Sequence, residues 1–369
     1  MGGADYFDPR PPPNNPFGED TRFPGCTLVL LVLLVHLAKR ASWGRPAGSG
    51  RPIDYARCWN GVSKQSGKTG LLLPSREVLL WANSDLGFLI EAARRAEQDG
   101  YDSVWVGDSL LARPRGEPLT LLAAVAGATT RVRLGTAVLL PLLRHPLSLA
   151  HGLATLDRIA WGRLVVGVGP GAELPGTHAE LAALGLASER RVGTMLSAVE
   201  HMRRLWRNEE TGIELQPRPL HPGGPPIWLG GSGPRMLRLA GTTFDGWLPF
   251  SPTPSEYASG LRAVREAAEG AGRDPDGIAT GAYLTVAVAD DPREAVDMLD
   301  AYMRAYYGVP AEVMARAQAC HAGTLESASE WFAAYRDAGA RHLVVRLARP
   351  DLSDYNDTAR HLLSAARGA

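Results

Sequence analysis

Residues 129–171 read "TTRVRLGTAVLLPLLRHPLSLAHGLATLDRIAWGRLVVGVGPG". Two apolar runs, "VRLGTAVLLP" and "RLVVGVGPG", flank a segment that opens at Pro146. Proline suits the first turn of a helix, where its missing N–H is not needed. The flanking runs are apolar almost throughout instead of alternating, the pattern of strands covered on both faces. This stretch therefore predicts strand, helix, strand with a parallel pairing, and the rest of the chain decides whether such units repeat often enough to close.

They repeat on both sides. Upstream, Gly70 to Leu73 forms an apolar run. The segment "DLGFLIEAARRAEQDG" then places Leu86, Leu89, Ile90 and Ala93 on one helical face and stops at Gly100. "SVWVGD" follows, with a helix from Pro118. Downstream, a Gly/Ala-rich insertion precedes a helix near Glu189 to Trp206. "PIWLGG" and "DGWLPF" give strands five and six, and "TGAYLTVAVAD" gives the seventh. A long helical stretch is expected from about Pro292 to Gly339, before "RHLVVRLA" as the eighth strand. Eight strands alternating with helices predict a (β/α)8 TIM barrel over residues 67–369 with an insertion after strand four. A doubly wound open sheet is the competing arrangement.

Residues 1–66 differ in composition. "DPRPPPNN" and "RASWGRPAGSGRP" favour an unpacked chain, and between them Thr27 to Ala38 is an apolar run too short for a comfortable membrane span. No basic leading region or clear cleavage site makes it a secretory signal. The expectation is a disordered tail or a mis-assigned start, with the folded protein beginning near Val62. The 39 basic and 39 acidic residues balance, so no overall charge draws the chain to nucleic acid or membrane. Cys26, Cys58 and Cys320 form no close pair, which fits a reducing cytoplasm and suggests no zinc site. No lysine follows Lys68, which removes a Schiff-base aldolase, and the strand ends carry no H-x-H for a metallohydrolase.

Barrel chemistry belongs at the carboxyl ends of the strands. Pro74 and Ser75 stand there after strand one, and Asp108 and Ser109 after strand two. Ala137 and Val138 end strand three, with Arg144 and His145 just beyond. Gly169, Gly171 and Glu173 follow strand four, and Gly231, Ser232 and Gly233 follow strand five. A glycine turn that opens a helix lets backbone N–H groups approach a phosphate, although such turns also need glycine for geometry alone. His145 equally fits a turn before Pro146, and Asp108 a cap. Trp105, Trp228 and Trp247 fall on strands and read as core.

Taken in order, "AEQDGYDSVWVGDSLL", the 129–171 stretch and "PPIWLGGSGPRMLRLAGTTFDGWLP" resemble the luciferase-like monooxygenase superfamily, including its deazaflavin-dependent branch. The resemblance covers about residues 68 to 348. It implies an oxidoreductase binding coenzyme F420, the preferred cofactor, or FMN, and acting on a small molecule, as a homodimer. An FMN monooxygenase using O2 would also need a separate flavin or F420 reductase; a noncatalytic flavin-binding protein is the alternative of another class. By resemblance Asp108 stands near the ring, and Ala137 and Val138 support it through a non-prolyl cis peptide. Arg144 and His145 flank the ring edge, while Gly231, Ser232 and Gly233 hold the phosphate. His145, Glu173 and His178 are the candidate proton carriers. The chain departs from the pattern at Ala172, where some deazaflavin enzymes place an acid.

Overall fold

In the computed structural model, which describes residues 67–82, 85–173 and 175–368, the strand β1 (Lys68–Leu72) pairs in parallel with two partners at once. Gly70 faces Ser103 of β2 (Ser103–Val106) on one side and Val344 of β9 (His342–Leu347) on the other. Parallel pairing continues through β3 (Arg133–Leu139), β4 (Leu164–Val168), β5 (Ile227–Leu229), β6 (Gly246–Trp247) and β7 (Ala279–Val288), and β7 joins β9. Eight strands thus close into the expected TIM barrel.

The helices follow their strands as α1 (Glu77–Trp81) and α2 (Gly87–Asp99), α3 (Pro118–Ala128), α4 (Pro146–Ile159), α5 (Pro175–Ala183) and α6 (Arg191–Arg207). Then come α7 (Pro234–Thr242), α8 (Pro254–Gly270), α9 (Pro292–Tyr307), α10 (Ala311–Met314), α11 (Leu325–Asp337) and α12 (Tyr355–Arg367). Proline occupies the first turn of α3, α4, α7, α8 and α9, where it costs no hydrogen bond. α3, α4, α7 and α8 each start after the carboxyl end of a barrel strand, so their positive dipole ends lie toward the barrel mouth.

The long helical stretch expected over Pro292–Gly339 is not continuous. Gly308 adopts φ 78 at the end of α9, and Pro310 follows it, so the helix stops there. The chain then adds a ninth strand, β8 (Ala319–Gly323), outside the closed ring. It can do so because β7 is ten residues long: Ala279 and Thr280 pair with β6, whereas Leu284 to Val288 pair with β8. The eighth barrel strand is therefore β9. The expected N-terminal extension lies outside the described residues.

Inside the barrel, Trp105 and Trp228 pack at 5.5 Å between centroids, each meeting the edge of His342. These rings need space that their neighbours yield. A Cβ on Gly135 would fall 2.1 Å from Trp105 Cε3, and one on Gly246 would fall 2.5 Å from Trp228 Cδ1. The lumen is a filled core, not a channel. Trp247 instead faces outward, stacked on Tyr257 at 5.0 Å, within the larger core between sheet and helices.

Candidate active site at the barrel mouth

The β3, β4 and β5 ends form a glycine-lined half of the mouth. The Ala137–Val138 peptide is cis, where the register of β3 against β4 shifts between Thr136 and Leu139. The Val138 side chain sits against two glycines: a Cβ on Gly169 would lie 2.7 Å from its Cγ2, and one on Gly230 3.2 Å from its Cγ1. Gly231 has φ 113, which L side chains rarely adopt, and its carbonyl accepts from Trp247 Nε1 at 2.9 Å. Ser232 Oγ donates to the Phe250 carbonyl at 3.2 Å, and Gly233 caps α7 with no side-chain hydrogen bond. Nothing lies within 4 Å of a Cβ on Gly233, so the start of α7 faces open space. This cradle fits an anionic group held by backbone N–H donors.

The other sequence-predicted residues are dispersed around this half. The side chain of Asp108 is fully buried and engaged with protein: it accepts from Arg144 Nη1 at 2.6 Å, Arg144 Nη2 at 3.0 Å and the Leu140 N–H at 3.0 Å. Arg144 also reaches Glu117 at 2.9 Å, so the pair ties the β2 and β3 loops together. Ser109 Oγ donates to Glu180 at 3.1 Å. His145 is exposed, and its Nδ1 accepts from the Leu147 N–H at 3.3 Å, the cap of α4. Gly171 lies by Leu140 and Thr177. Glu173 and His178 meet on the rim at 2.8 Å, and Glu173 also pairs with Arg191. Ala137, Val138, Gly169 and the Gly231–Gly233 turn therefore cluster, whereas His145 and Glu173 are exposed and His178 is half-buried beside Glu173.

Two groups escaped sequence reasoning. Glu180 is 1% exposed and gathers the Ser109 hydroxyl with the N–H groups of Leu110 and Leu111, anchoring the β2 loop to α5. The second group lines the half of the mouth formed by β7, β9, β1 and β2. Arg346 on β9 is 1% exposed; its Nε donates to Thr285 Oγ1 at 3.2 Å and its Nη1 to Tyr307 at 2.8 Å. Tyr302 donates to buried Glu77, and burial pushes the hydroxyls of Tyr283 and Tyr302 well above the usual tyrosine range, so both stay neutral. The one available signal was the phase of "HLVVRL": His342, Val344 and Arg346 alternate inward, so a charge had to enter the lumen.

Two open clefts of about 300 and 500 Å³, lined in part by Lys68 and Arg131 and by Arg262 and Arg341, occupy the opposite end of the barrel. They carry none of the loops in which barrels build their sites. Among the described residues no cluster of His, Cys, Asp or Glu could hold a metal, and no helix is long and apolar enough to cross a membrane.

Comparison with known proteins agrees with this architecture. A 5,10-methylenetetrahydromethanopterin reductase from Methanolobus tindarius is 30% identical over 210 residues, covering 55% of this chain and 62% of the relative. A phthiodiolone/phenolphthiodiolone dimycocerosates ketoreductase from Mycobacterium tuberculosis is 34% identical over 256 residues, covering 59% and 66%. The chain thus spans less than two thirds of either relative. An F420-dependent secondary alcohol dehydrogenase in complex with an F420-acetone adduct superposes with a TM-score of 0.67 at 22% identity, covering 82% of this chain and 99% of its own. A monooxygenase from Streptomyces bottropensis superposes with a TM-score of 0.65 at 25% identity, covering 81% and 98%. The family model for luciferase-like monooxygenases matches residues 68–347, the closed barrel from its first strand to its last, and the chain belongs to that family.

Proposed function

We propose that this protein is a deazaflavin-dependent oxidoreductase acting on a small organic molecule. The observation that carries the reading is the cradle between β3 and β5: close-packed glycines around Val138, then a glycine turn opening an uncapped helix. The start of α7 and Ser232 would hold a cofactor phosphate, and Ala137 and Val138 would form an apolar shelf beneath the ring. Bound there, coenzyme F420 would supply hydride transfer, a chemistry that belongs to the cofactor. Asp108 contributes by fixing Arg144 and the loop after β3. We assign proton transfer to His178, paired with Glu173 at 2.8 Å, and read His145, whose Nδ1 accepts from the Leu147 N–H, as the cap of α4. The ketoreductase and methylenetetrahydromethanopterin reductase relatives support a reductive activity, and the solved alcohol dehydrogenase pairs this fold with F420.

The monooxygenase of Streptomyces bottropensis favours a second reading, FMN with oxygen and a separate reductase. Separate fluorescence titrations with F420 and FMN distinguish the two. Binding of F420 alone is expected; binding of FMN alone moves the assignment to the oxygen-dependent reading, and binding of neither sinks both.

A further inference from the structure

We infer that the half of the mouth facing the glycine cradle is a subsite for an oxyanion, carboxylate or phosphate, carried by the substrate. This assignment rests on the proposed redox function for what occupies the other half. Its basis is the convergence of three guanidinium groups on one buried ring. Arg115 Nη2 donates to the Tyr306 hydroxyl at 2.9 Å, while Arg76 Cζ and Arg346 Cζ lie 4.6 and 4.8 Å from the ring centroid. Among the described residues none of the three arginines forms an ion pair with a carboxylate.

The nearest acid is already committed. One oxygen of Glu77 accepts from Tyr302 and the other from the Arg76 backbone N–H at 3.1 Å. Three positive charges thus share the Glu77 carboxylate, which takes its hydrogen bonds from Tyr302 and from backbone and none from a guanidinium. Arginine remains protonated in proteins, so the cluster cannot relieve itself by losing protons. Stacking on tyrosine faces compensates part of that burial. It leaves donors over: Nη2 of Arg346 and both Nε and Nη1 of Arg76 are buried without a hydrogen-bond partner. Buried N–H groups are normally satisfied, and an arginine fork matches the spacing of carboxylate and phosphate oxygens.

Position separates this subsite from the cofactor. Around the closed ring β5 stands diametrically across from β1, with four steps in either direction through the pairing order. Arg76 follows β1 and Arg346 lies on β9 beside it, whereas the phosphate cradle follows β5. An oxyanion bound by the arginines would orient the remainder of the substrate across the mouth.

The test is calorimetric titration of the full chain with inorganic phosphate, with and without saturating F420. The expected result is phosphate binding to the F420-loaded protein, weakened about tenfold or more in Arg346→Gln and in the less buried Arg76→Ala, with F420 affinity unchanged. Circular dichroism shows whether each variant folds. No phosphate binding to a protein that does bind F420 overturns the subsite, as does equal binding by both folded variants. Phosphate that displaces F420 also overturns it, since the anion would then share the cofactor's cradle. Arginine-dependent phosphate binding in a protein that takes no F420 supports the subsite and removes the redox reading instead.

Discussion

Asp108 shows how a residue placed by sequence beside a ring can serve the scaffold first. Its carboxylate accepts three donors, two of them from Arg144, in a position without solvent exposure. Asp108→Asn retains the shape and removes the charge, and should cost about 2 to 3 kcal/mol in urea unfolding, the range for charge-assisted hydrogen bonds. The two histidines at the rim separate in the same way. His178→Asn is expected to lower turnover about 100-fold, the scale of general acid–base assistance. His145→Asn preserves a capping side chain and should leave turnover within a few fold. Steady-state kinetics of the pair decides the assignment, and the reverse order would transfer proton transfer to His145.

At the scale of elements, β3 shows why close packing constrains sequence more tightly than propensity does. Gly135→Ala would place a methyl 2.1 Å from Trp105 Cε3, and overpacking of this kind should lower stability by about 1 to 3 kcal/mol, visible as a drop in thermal midpoint. The barrel was legible because its strands are apolar runs and its helices open on prolines, both local signals. β8 was not, because "ACHAG" is short, only its ends are buried, and it gains meaning from the extra length of β7. The glycine turn after β5 was legible because Gly230, Gly231, Ser232 and Gly233 are consecutive in sequence. The arginine and tyrosine half was not: Glu77 and Tyr302, which touch, stand 225 residues apart. No spacing rule connects side chains that only barrel closure brings together.

For the molecule as a whole, the buried His342 sets an acid limit. Burial first, then the cations Arg133, Lys68 and Arg336, push its pKa down from 6.5 to about 3. Between these values the unfolded chain holds a proton that the folded chain does not, so stability declines as pH falls below 6.5, by up to about 1.4 kcal/mol per pH unit. Above pH 6.5 the imidazole contributes no slope. His342→Asn should remove this slope between about pH 6.5 and 4.5, above the ordinary carboxylate range, even if it lowers stability overall. Urea midpoints measured across that interval check it, and an unchanged slope would locate the acid sensitivity elsewhere.

Trp105 and Trp228 pack together in the lumen, in one core cluster with Ala137, their ring centroids 5.5 Å apart. A flavin or deazaflavin absorbs where indole fluoresces, and a ring seated on Val138 would lie within a few side-chain lengths of both. The fold therefore contains its own optical donor pair: occupancy of the site should dim the protein's intrinsic ultraviolet emission without a label, even in a variant that no longer turns over.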